Sequence, residues 1–234
     1  MTAAEPTITV CVFAWNEVDT LEPVVREVAG ALAPLPGPHE ILIIDDGSTD
    51  GTSDVADRLA KEMAGVRVVH HGKNEGLGPV YRTGFTEARG KVLTFLPADG
   101  QFPPSIAAEF FGMMSELDLV LGYLPSRKDL VGKTLSGIER VLYRMLLGPM
   151  PRFQGVFMIR RSILEGIPLA SRGRGWAIVM ELIIRAHRRG FRTKSVPTAH
   201  RPRQHGVSKV NNLRNIQANM KQLVALRRLI PRDG

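Results

Sequence analysis

The chain has 234 residues, of which 44% are hydrophobic, so it is long enough to bury one sizeable core. Its one cysteine, Cys11, excludes a disulfide framework and a cysteine metal site. The net charge of +8 is concentrated near the C-terminus, because residues 185–234 carry 13 Lys or Arg and one acid. That basic region implies an anionic partner, which could be phosphate groups, an acidic membrane surface or nucleic acid.

The first half of the sequence alternates short β-rich runs with segments of helical period, which predicts a parallel sheet with crossover helices. Strands are predicted at 7–13, 40–44, 66–70, 92–96 and 119–122. Helices are predicted between them, starting from the apolar residues at 21–32, from the loop at 45–52, from the glycines at 72–78 and after Pro103-Pro104. We therefore expect one α/β domain.

The second half has weaker periodicity. It predicts helices near 133–147 and 176–189 and strands near 156–159 and 191–196. From residue 211 onward the pattern is that of a basic amphipathic helix, in which Arg214, Lys221, Arg227 and Arg228 lie among apolar residues such as Ile230. This helix could lie in a membrane interface or pack back on the domain, and the sequence leaves both open.

The sequence shows neither the pattern of a secretory signal peptide nor that of a membrane-spanning helix. The N-terminus lacks the basic flank and apolar stretch of a signal peptide, and no window approaches eighteen consecutive apolar residues. We expect a cytoplasmic protein, or one held peripherally on the cytosolic face of a membrane.

Polar and acidic residues follow the first, second and fourth predicted strands. They are Ala14-Trp15-Asn16-Glu17, Asp45-Asp46-Gly47-Ser48 and Pro97-Ala98-Asp99-Gly100-Gln101. Ligands of open parallel sheets bind beyond the carboxyl ends of the strands, so these groups predict a rim that binds a base, a ribose and a hard divalent cation. Each stretch alone is also an ordinary turn or helix-cap composition. Their order and spacing in one chain favour a site.

That order resembles the inverting glycosyltransferase family 2, and within it the dolichyl- or polyprenyl-phosphate mannose synthase group. The similarity runs from about residue 7 to residue 209. It is carried by Phe13-Ala14-Trp15-Asn16-Glu17, where the family has Pro-Ala-Tyr-Asn-Glu, by residues 43–52, and by Asn74-Glu75-Gly76-Leu77-Gly78 leading to Gly84.

The resemblance implies a single three-layer α/β/α nucleotide-sugar-binding domain of the glycosyltransferase A type, Rossmann-like with a mostly parallel sheet. The catalytic domain would span residues 1–210, with a nucleotide-binding half at about 1–100 and an acceptor half at about 101–210. Residues 211–234 would form the basic tail. By the same resemblance, the residues that hold the nucleotide are Ala14, Trp15, Asn16, Glu17, Asp45, Asp46, Gly76, Ala98 and Arg127.

The family's metal motif is Asp-Ala-Asp, a small or apolar residue, and Gln. Here Pro97 replaces the first aspartate, while Asp99 and Gln101 keep the other two oxygen ligands. The resemblance therefore implies Mg²⁺ or Mn²⁺ on Asp99 and Gln101, bridging the diphosphate with one carboxylate fewer. Weaker metal affinity, or partial replacement of the metal by Arg or Lys charge, would follow.

Three further residues receive roles from the resemblance. Arg203 and Lys209 match the Arg-x-x-Gly-x-Ser-Lys signature of the polyprenyl-phosphate branch and would neutralise the departing diphosphate, unless this is a solvated basic loop. Glu181 stands where many members carry an acid facing the acceptor, and it would be a general base if the acceptor is a hydroxyl. An ordinary helix-surface glutamate is the alternative.

The predicted function is an inverting glycosyltransferase with a UDP- or GDP-linked sugar as donor. The acceptor would be a lipid phosphate, whose oxygen needs no base, or a hydroxyl of a small soluble molecule. A nucleic-acid-binding module is disfavoured, because the basic region has no stacking pattern of aromatic residues, and no nucleic-acid partner is expected. A catalytically weak nucleotide-binding protein is the remaining alternative, suggested by Pro97.

Overall fold

The protein is described by a computed structural model over residues 5–125, 150–202, 226–228 and 230. Within these ranges a seven-stranded sheet has helices on both faces. The strands are β1 (Ile8–Ala14), β2 (His39–Asp45), β3 (Val66–His70), β4 (Val92–Pro97), β5 (Leu119–Tyr123), β6 (Phe157–Arg160) and β7 (Thr193–Pro197). The helices are α1 (Leu21–Leu32), α2 (Thr52–Glu62), α3 (Leu77–Glu87), α4 (Ser105–Met113), α5 (Arg161–Gly166) and α6 (Ala177–Arg188).

The strand order is β3-β2-β1-β4-β6-β5-β7. The four strands β3, β2, β1 and β4, all from the N-terminal half, are parallel to one another. β7 is parallel to β5. β6 runs antiparallel to both β4 and β5, because the chain returns to the sheet from the carboxyl edge. The predicted mostly parallel sheet is confirmed.

Strand alternation divides the core into two layers. In β1, Val10 and Val12 face α1, α2 and α4, whereas Cys11 faces α3, α5 and α6. All three side chains are fully buried. Apolar side chains on both faces of a strand are the pattern of a sheet covered on both sides, and the three-layer α/β/α architecture is confirmed.

The predicted strands agree with the structure to within one or two residues at most ends. The last strand starts at Thr193 rather than at 191, because the backbone N–H of Arg192 donates to the Asp118 carboxylate (3.0 Å) before pairing with β5 begins. The helix predicted at 133–147 lies outside the described residues.

Part of the C-terminal region packs on the domain. Leu226 and Ile230 are 1% and 6% exposed, and they contact Met180 and Ile184 of α6. At these two apolar residues the C-terminal region packs back on the domain, which is one of the two alternatives that the sequence left open. In the part of the chain that the structure describes, no helix is both long enough and apolar enough to cross a membrane.

Candidate active site

The candidate site lies where β2, β1 and β4 end side by side. In the parallel register Ala14 is paired with Asp45, and Phe13 with Pro97. The next residues continue the pairing, because the N–H of Asp46 donates to the Ala14 carbonyl and that of Ala98 to the Phe13 carbonyl, both at 2.9 Å. The predicted meeting of the three strand ends is confirmed. Ala14 and Ala98 are almost fully buried and contribute backbone to the rim.

A cavity of about 570 Å³ opens at this edge, within the size range of ligand pockets. Trp15 and Asp45 line it, together with Asp57, His70 and Lys73. Trp15 is 37% exposed and contributes a large aromatic side chain to the cavity wall.

Asp45 is the buried anion of the cavity, with 1% of its surface exposed. Its carboxylate accepts from the Ser48 N–H (3.1 Å), the Ser53 hydroxyl (2.5 Å) and Nδ1 of His70 (2.9 Å). Burial raises the pKa of Asp45, but the hydrogen bonds from Ser48, Ser53 and His70 outweigh it and hold the pKa below its ordinary value. The carboxylate is therefore charged and fixed in one orientation.

His70 is a cavity residue that the sequence analysis did not select. Its Nε2 also contacts the Asp57 carboxylate at 3.1 Å, so the ring lies between two acids. Partial burial lowers the pKa of His70, but the hydrogen bonds to Asp45 and Asp57 prevail and raise it. The sequence contains a signal for this contact, because two consecutive predicted strands are followed by acid and histidine pairs, Asp45-Asp46 and His70-His71. In the structure β2 and β3 are parallel neighbours, and Asp45 is in register with His70.

Asp46 faces a different loop from Asp45. It accepts from His71 Nδ1 (2.8 Å), Asn74 Nδ2 (3.0 Å), and the backbone N–H groups of Glu75 (2.9 Å) and Gly76 (2.8 Å). Four protein donors thus occupy this carboxylate. In the structure Asp46 orders the loop between β3 and α3, and Gly76 belongs to the same arrangement.

Asn16 and Glu17 connect two loops of the rim. Asn16 has a left-handed backbone (φ 53°), and its side-chain oxygen accepts from the Thr49 N–H at 2.8 Å. The N–H of Glu17 donates to the Thr52 hydroxyl at 2.9 Å, and the Glu17 carboxylate accepts from the Thr20 hydroxyl at 3.1 Å. Both residues are partly buried at the cavity edge, where they hold the β1–α1 loop against the β2–α2 loop.

Asp99 and Gln101 form a turn beyond β4. One carboxylate oxygen of Asp99 accepts from the Gln101 N–H at 3.1 Å, and the Gln101 carbonyl accepts from the Arg201 N–H at 2.7 Å. The Arg201 guanidinium makes two hydrogen bonds to Glu27 of α1, at 2.9 and 2.8 Å. Arg201 begins the basic stretch at residues 201–209, here called the basic loop, so the start of the basic loop is held beside the predicted metal ligands.

The oxygen ligands fit a hard cation only as a partial set. In the described ranges no group of three or more His, Cys, Asp or Glu side chains could hold a metal ion. A Mg²⁺ or Mn²⁺ on Asp99 and Gln101 would need its other ligands from a diphosphate and water, which is usual for Mg²⁺. Arg127, Arg203 and Lys209 lie outside the described residues.

The Gln154-Gly155 segment approaches the same turn through Phe102. Gly155 has a φ of 107°, and a Cβ there would lie 2.7 Å from the Phe102 ring. The His200 ring packs edge-on against the Phe102 ring, with 5.3 Å between the ring centroids. The Gln154-Gly155 segment and the start of the basic loop thus converge next to Gln101.

Glu181 is fully buried, so the alternative of a helix-surface glutamate is wrong. Its carboxylate accepts from the N–H groups of Ala170 (3.1 Å) and Ser171 (2.7 Å) and pairs with Arg185 at 2.9 Å. Burial raises the pKa of Glu181, but these hydrogen bonds outweigh it and lower the pKa. In the structure this carboxylate anchors the backbone of residues 170 and 171. Its role as a general base for a hydroxyl acceptor stays a prediction.

The family model for Glycosyl transferase family 2 matches residues 9–167. The chain belongs to this family. A relative is the polyprenol monophosphomannose synthase of Mycolicibacterium smegmatis, 32% identical, with 84% of this chain and 78% of the relative covered. Another is the dolichol-phosphate mannosyltransferase of Mycosarcoma maydis, 27% identical, with 97% and 81% covered.

Solved structures of glucosyl-3-phosphoglycerate synthase from Mycobacterium tuberculosis share the fold. The complex with UDP has a TM-score of 0.69 at 21% identity and covers 98% of this chain and 82% of that one. The complex with Mn²⁺, UDP and glucosyl-3-phosphoglycerate has a TM-score of 0.68 at 23% identity, with the same coverage. This family 2 glycosyltransferase therefore has the predicted glycosyltransferase A-type fold.

The Asp45–His70 contact predicts how the stability of this glycosyltransferase depends on pH. The raised pKa of His70 means that the stabilisation is present below its unfolded pKa of about 6.5 and is lost as pH rises through the folded value. The lowered pKa of Asp45 means that stabilisation is present above about 3.9 and is lost as pH falls. His70→Gln should reduce the free energy of unfolding by about 1 kcal/mol near pH 5.5, a value discounted because the His70 side chain is 35% exposed.

Urea unfolding at pH 5.5 and pH 8.5 measures this effect, and the deficit should shrink at the higher pH. His187→Gln is the control, because His187 is exposed on α6. A deficit of the same size at both pH values would show that protonated His70 does not stabilise the site.

Proposed function

We propose that this glycosyltransferase moves a sugar from a nucleoside-diphosphate sugar, UDP- or GDP-linked, to a polyprenyl phosphate. The observation that carries the proposal is the convergence at one sheet edge of the Asp45 cavity, the Asp99–Gln101 turn and the start of the basic loop. The relatives' names support the acceptor: one is a polyprenol monophosphomannose synthase, and another is a dodecaprenyl-phosphate galacturonate synthase, 29% identical over 83% of this chain.

The donor would lie across the strand ends. Its nucleoside would occupy the cavity lined by Trp15 and Asp45, and its diphosphate would reach Asp99 and Gln101, about 10 Å away at two interstrand spacings. Asp99 and Gln101 would hold the divalent cation, which when bound neutralises charge on the diphosphate. Arg127, Arg203 and Lys209 would add cations on the phosphate side, as the family resemblance implies.

The acceptor proposal gains support from Glu181. A phosphate monoester loses its second proton near pH 6, so its oxygen is anionic at neutral pH and can attack without a base. The bond from this oxygen to the anomeric carbon forms as the bond to the diphosphate breaks, and the electron pair leaves with the nucleoside diphosphate. Attack opposite the leaving group inverts the anomeric configuration. A hydroxyl acceptor would need a base, and the buried Glu181 is engaged with Ala170, Ser171 and Arg185.

Peripheral membrane contact would depend on exposed arginine side chains near the C-terminus more than on insertion of apolar side chains into the membrane. Arg227 and Arg228 are exposed, whereas Leu226 and Ile230 beside them are buried against α6. An exposed cation near an anionic surface contributes about 1 kcal/mol. Contact through these arginines would bring the enzyme to a lipid-linked acceptor.

A transfer assay tests the acceptor. UDP- and GDP-linked sugars with polyprenyl phosphate should give a solvent-extractable glycolipid and release the nucleoside diphosphate. The same polyprenol without its phosphate should give no product, because its neutral hydroxyl requires a base. Equal transfer to the polyprenol, or transfer to 3-phosphoglycerate instead, would overturn the proposed acceptor.

A substitution tests the metal site. Asp99→Asn should lower kcat by on the order of a hundredfold and raise the Mn²⁺ concentration needed for half-maximal rate, because one charged ligand is removed. Glu109→Gln on the exposed side of α4 is the control and should leave both values unchanged. If Asp99→Asn keeps the wild-type rate and Mn²⁺ dependence, Asp99 does not hold the cation.

Flotation with liposomes tests the membrane contact. Binding to anionic vesicles should fall with added salt, and Arg227→Gln/Arg228→Gln should weaken it because screening and charge removal act on the same attraction. Binding that ignores both salt and the double substitution would argue against an electrostatic contact by these residues.

A further inference from the structure

The glycine loop between β3 and α3 packs against a segment from the acceptor half. Residues 170–176, here called the strap, form the later part of the connection from α5 to α6 and cross the start of α3. A Cβ on Gly78 would lie 1.9 Å from the Gly173 carbonyl oxygen, and one on Gly76 would lie 2.7 Å from that of Arg174. These two glycines are thus required by the close approach of the strap.

The strap is fixed at its first residues. Ala170 and Ser171 donate their N–H groups to the buried Glu181 carboxylate, and the Arg82 guanidinium donates to the Ser171 carbonyl. Glu181 in turn pairs with Arg185 one turn further along α6. The start of the strap is therefore tied to both α3 and α6.

Its other end is fixed to the wall of the nucleotide cavity. The Gly78 N–H donates to the Arg174 carbonyl at 2.9 Å. One terminal nitrogen of the Arg174 guanidinium donates to the Asn74 carbonyl (3.0 Å) and to the Asn74 side-chain oxygen (2.8 Å). Asn74 itself lines the cavity.

The Asn74 side chain links Arg174 to Asp46. Its amide nitrogen donates to the Asp46 carboxylate at 3.0 Å, while its amide oxygen accepts from Arg174. The Arg174 guanidinium has only donors, so its position selects the amide orientation in which the Asn74 oxygen faces the strap and the Asn74 nitrogen faces Asp46. Asp46 then holds the backbone of Glu75 and Gly76.

We propose that Arg174 is a positioning residue for donor binding, acting through Asn74 on the Asp46 side of the nucleotide cavity. The inference rests on the proposed function in one respect, namely that this cavity takes a nucleoside diphosphate. Through this contact a residue of the proposed acceptor half helps to shape the donor site. Arg174 and Asn74 are 100 residues apart in the chain.

Calorimetric titration with UDP and with GDP, each in the presence of Mn²⁺, tests this role. For the nucleotide that the wild type binds more tightly, Arg174→Ala should raise Kd on the order of tenfold, as expected for loss of a charged hydrogen bond. Arg174→Lys keeps the positive charge and a donor nitrogen and should recover part of the affinity. Arg172→Ala is the matched control on the same strap, because Arg172 is exposed and makes no ion pair within the described ranges; its Kd should stay within about twofold of wild type.

A double-mutant cycle separates positioning from general stability. Asn74→Ala should weaken nucleotide binding, and adding Arg174→Ala should cause little further loss, because the two residues act through one contact. Thermal unfolding is followed in parallel, and a lower Tm alone does not produce this non-additivity. Unchanged Kd in Arg174→Ala, an equal effect of Arg172→Ala, or additive losses in the cycle would overturn the inference. Failure of the wild type to bind either nucleotide would instead count against the proposed function.

Discussion

The parallel register of β2, β1 and β4 is the constraint on which the site depends. Each strand ends at the same edge, so Asp45, Ala14 and Pro97 lie side by side and the loops that follow them share one rim. A one-residue slip in any strand would turn its last side chains to the opposite face. Val10, Cys11 and Val12 are fully buried between the two helical layers, so a slip in β1 would disturb the packing of both layers.

Buried carboxylates organise the loops above this edge. An unpaired buried charge is costly, so every such group needs donors that remain in place. Asp45 takes them from the β2–α2 loop and from His70, Asp46 from the β3–α3 loop, and Glu181 from the strap. The same hydrogen bonds that compensate burial therefore fix the positions of three loops, and a site with fixed donors and acceptors needs little reorganisation when a ligand binds.

The carboxylates that hold loops in place are less free to contact a substrate of the glycosyltransferase. Two acids that the family resemblance made into ligand or base residues, Asp46 and Glu181, have their oxygen atoms occupied by protein donors. Asp45 lines the cavity but takes three protein donors in the same way. We therefore propose Trp15, at the cavity wall, and Asp99, in the turn beyond β4, as the side chains that meet the donor substrate. An acceptor that brings its own negative charge suits such a site.

The sequence by itself determined the fold class, the family and the three strand ends, because hydrophobic periodicity and short motifs are local properties of the chain. Trp15, Asp45 and Asp99 could be selected on that basis. Tertiary structure alone decided which carboxylate faces the cavity, that Glu181 is buried, and that Arg174 reaches Asn74. The reason is physical: these facts depend on how separate elements pack, with hydrogen bonds that join Asp45 to His70, Glu181 to residues 170 and 171, and Asn74 to Arg174. Neither spacing nor composition encodes which donors will surround a given oxygen once the layers pack.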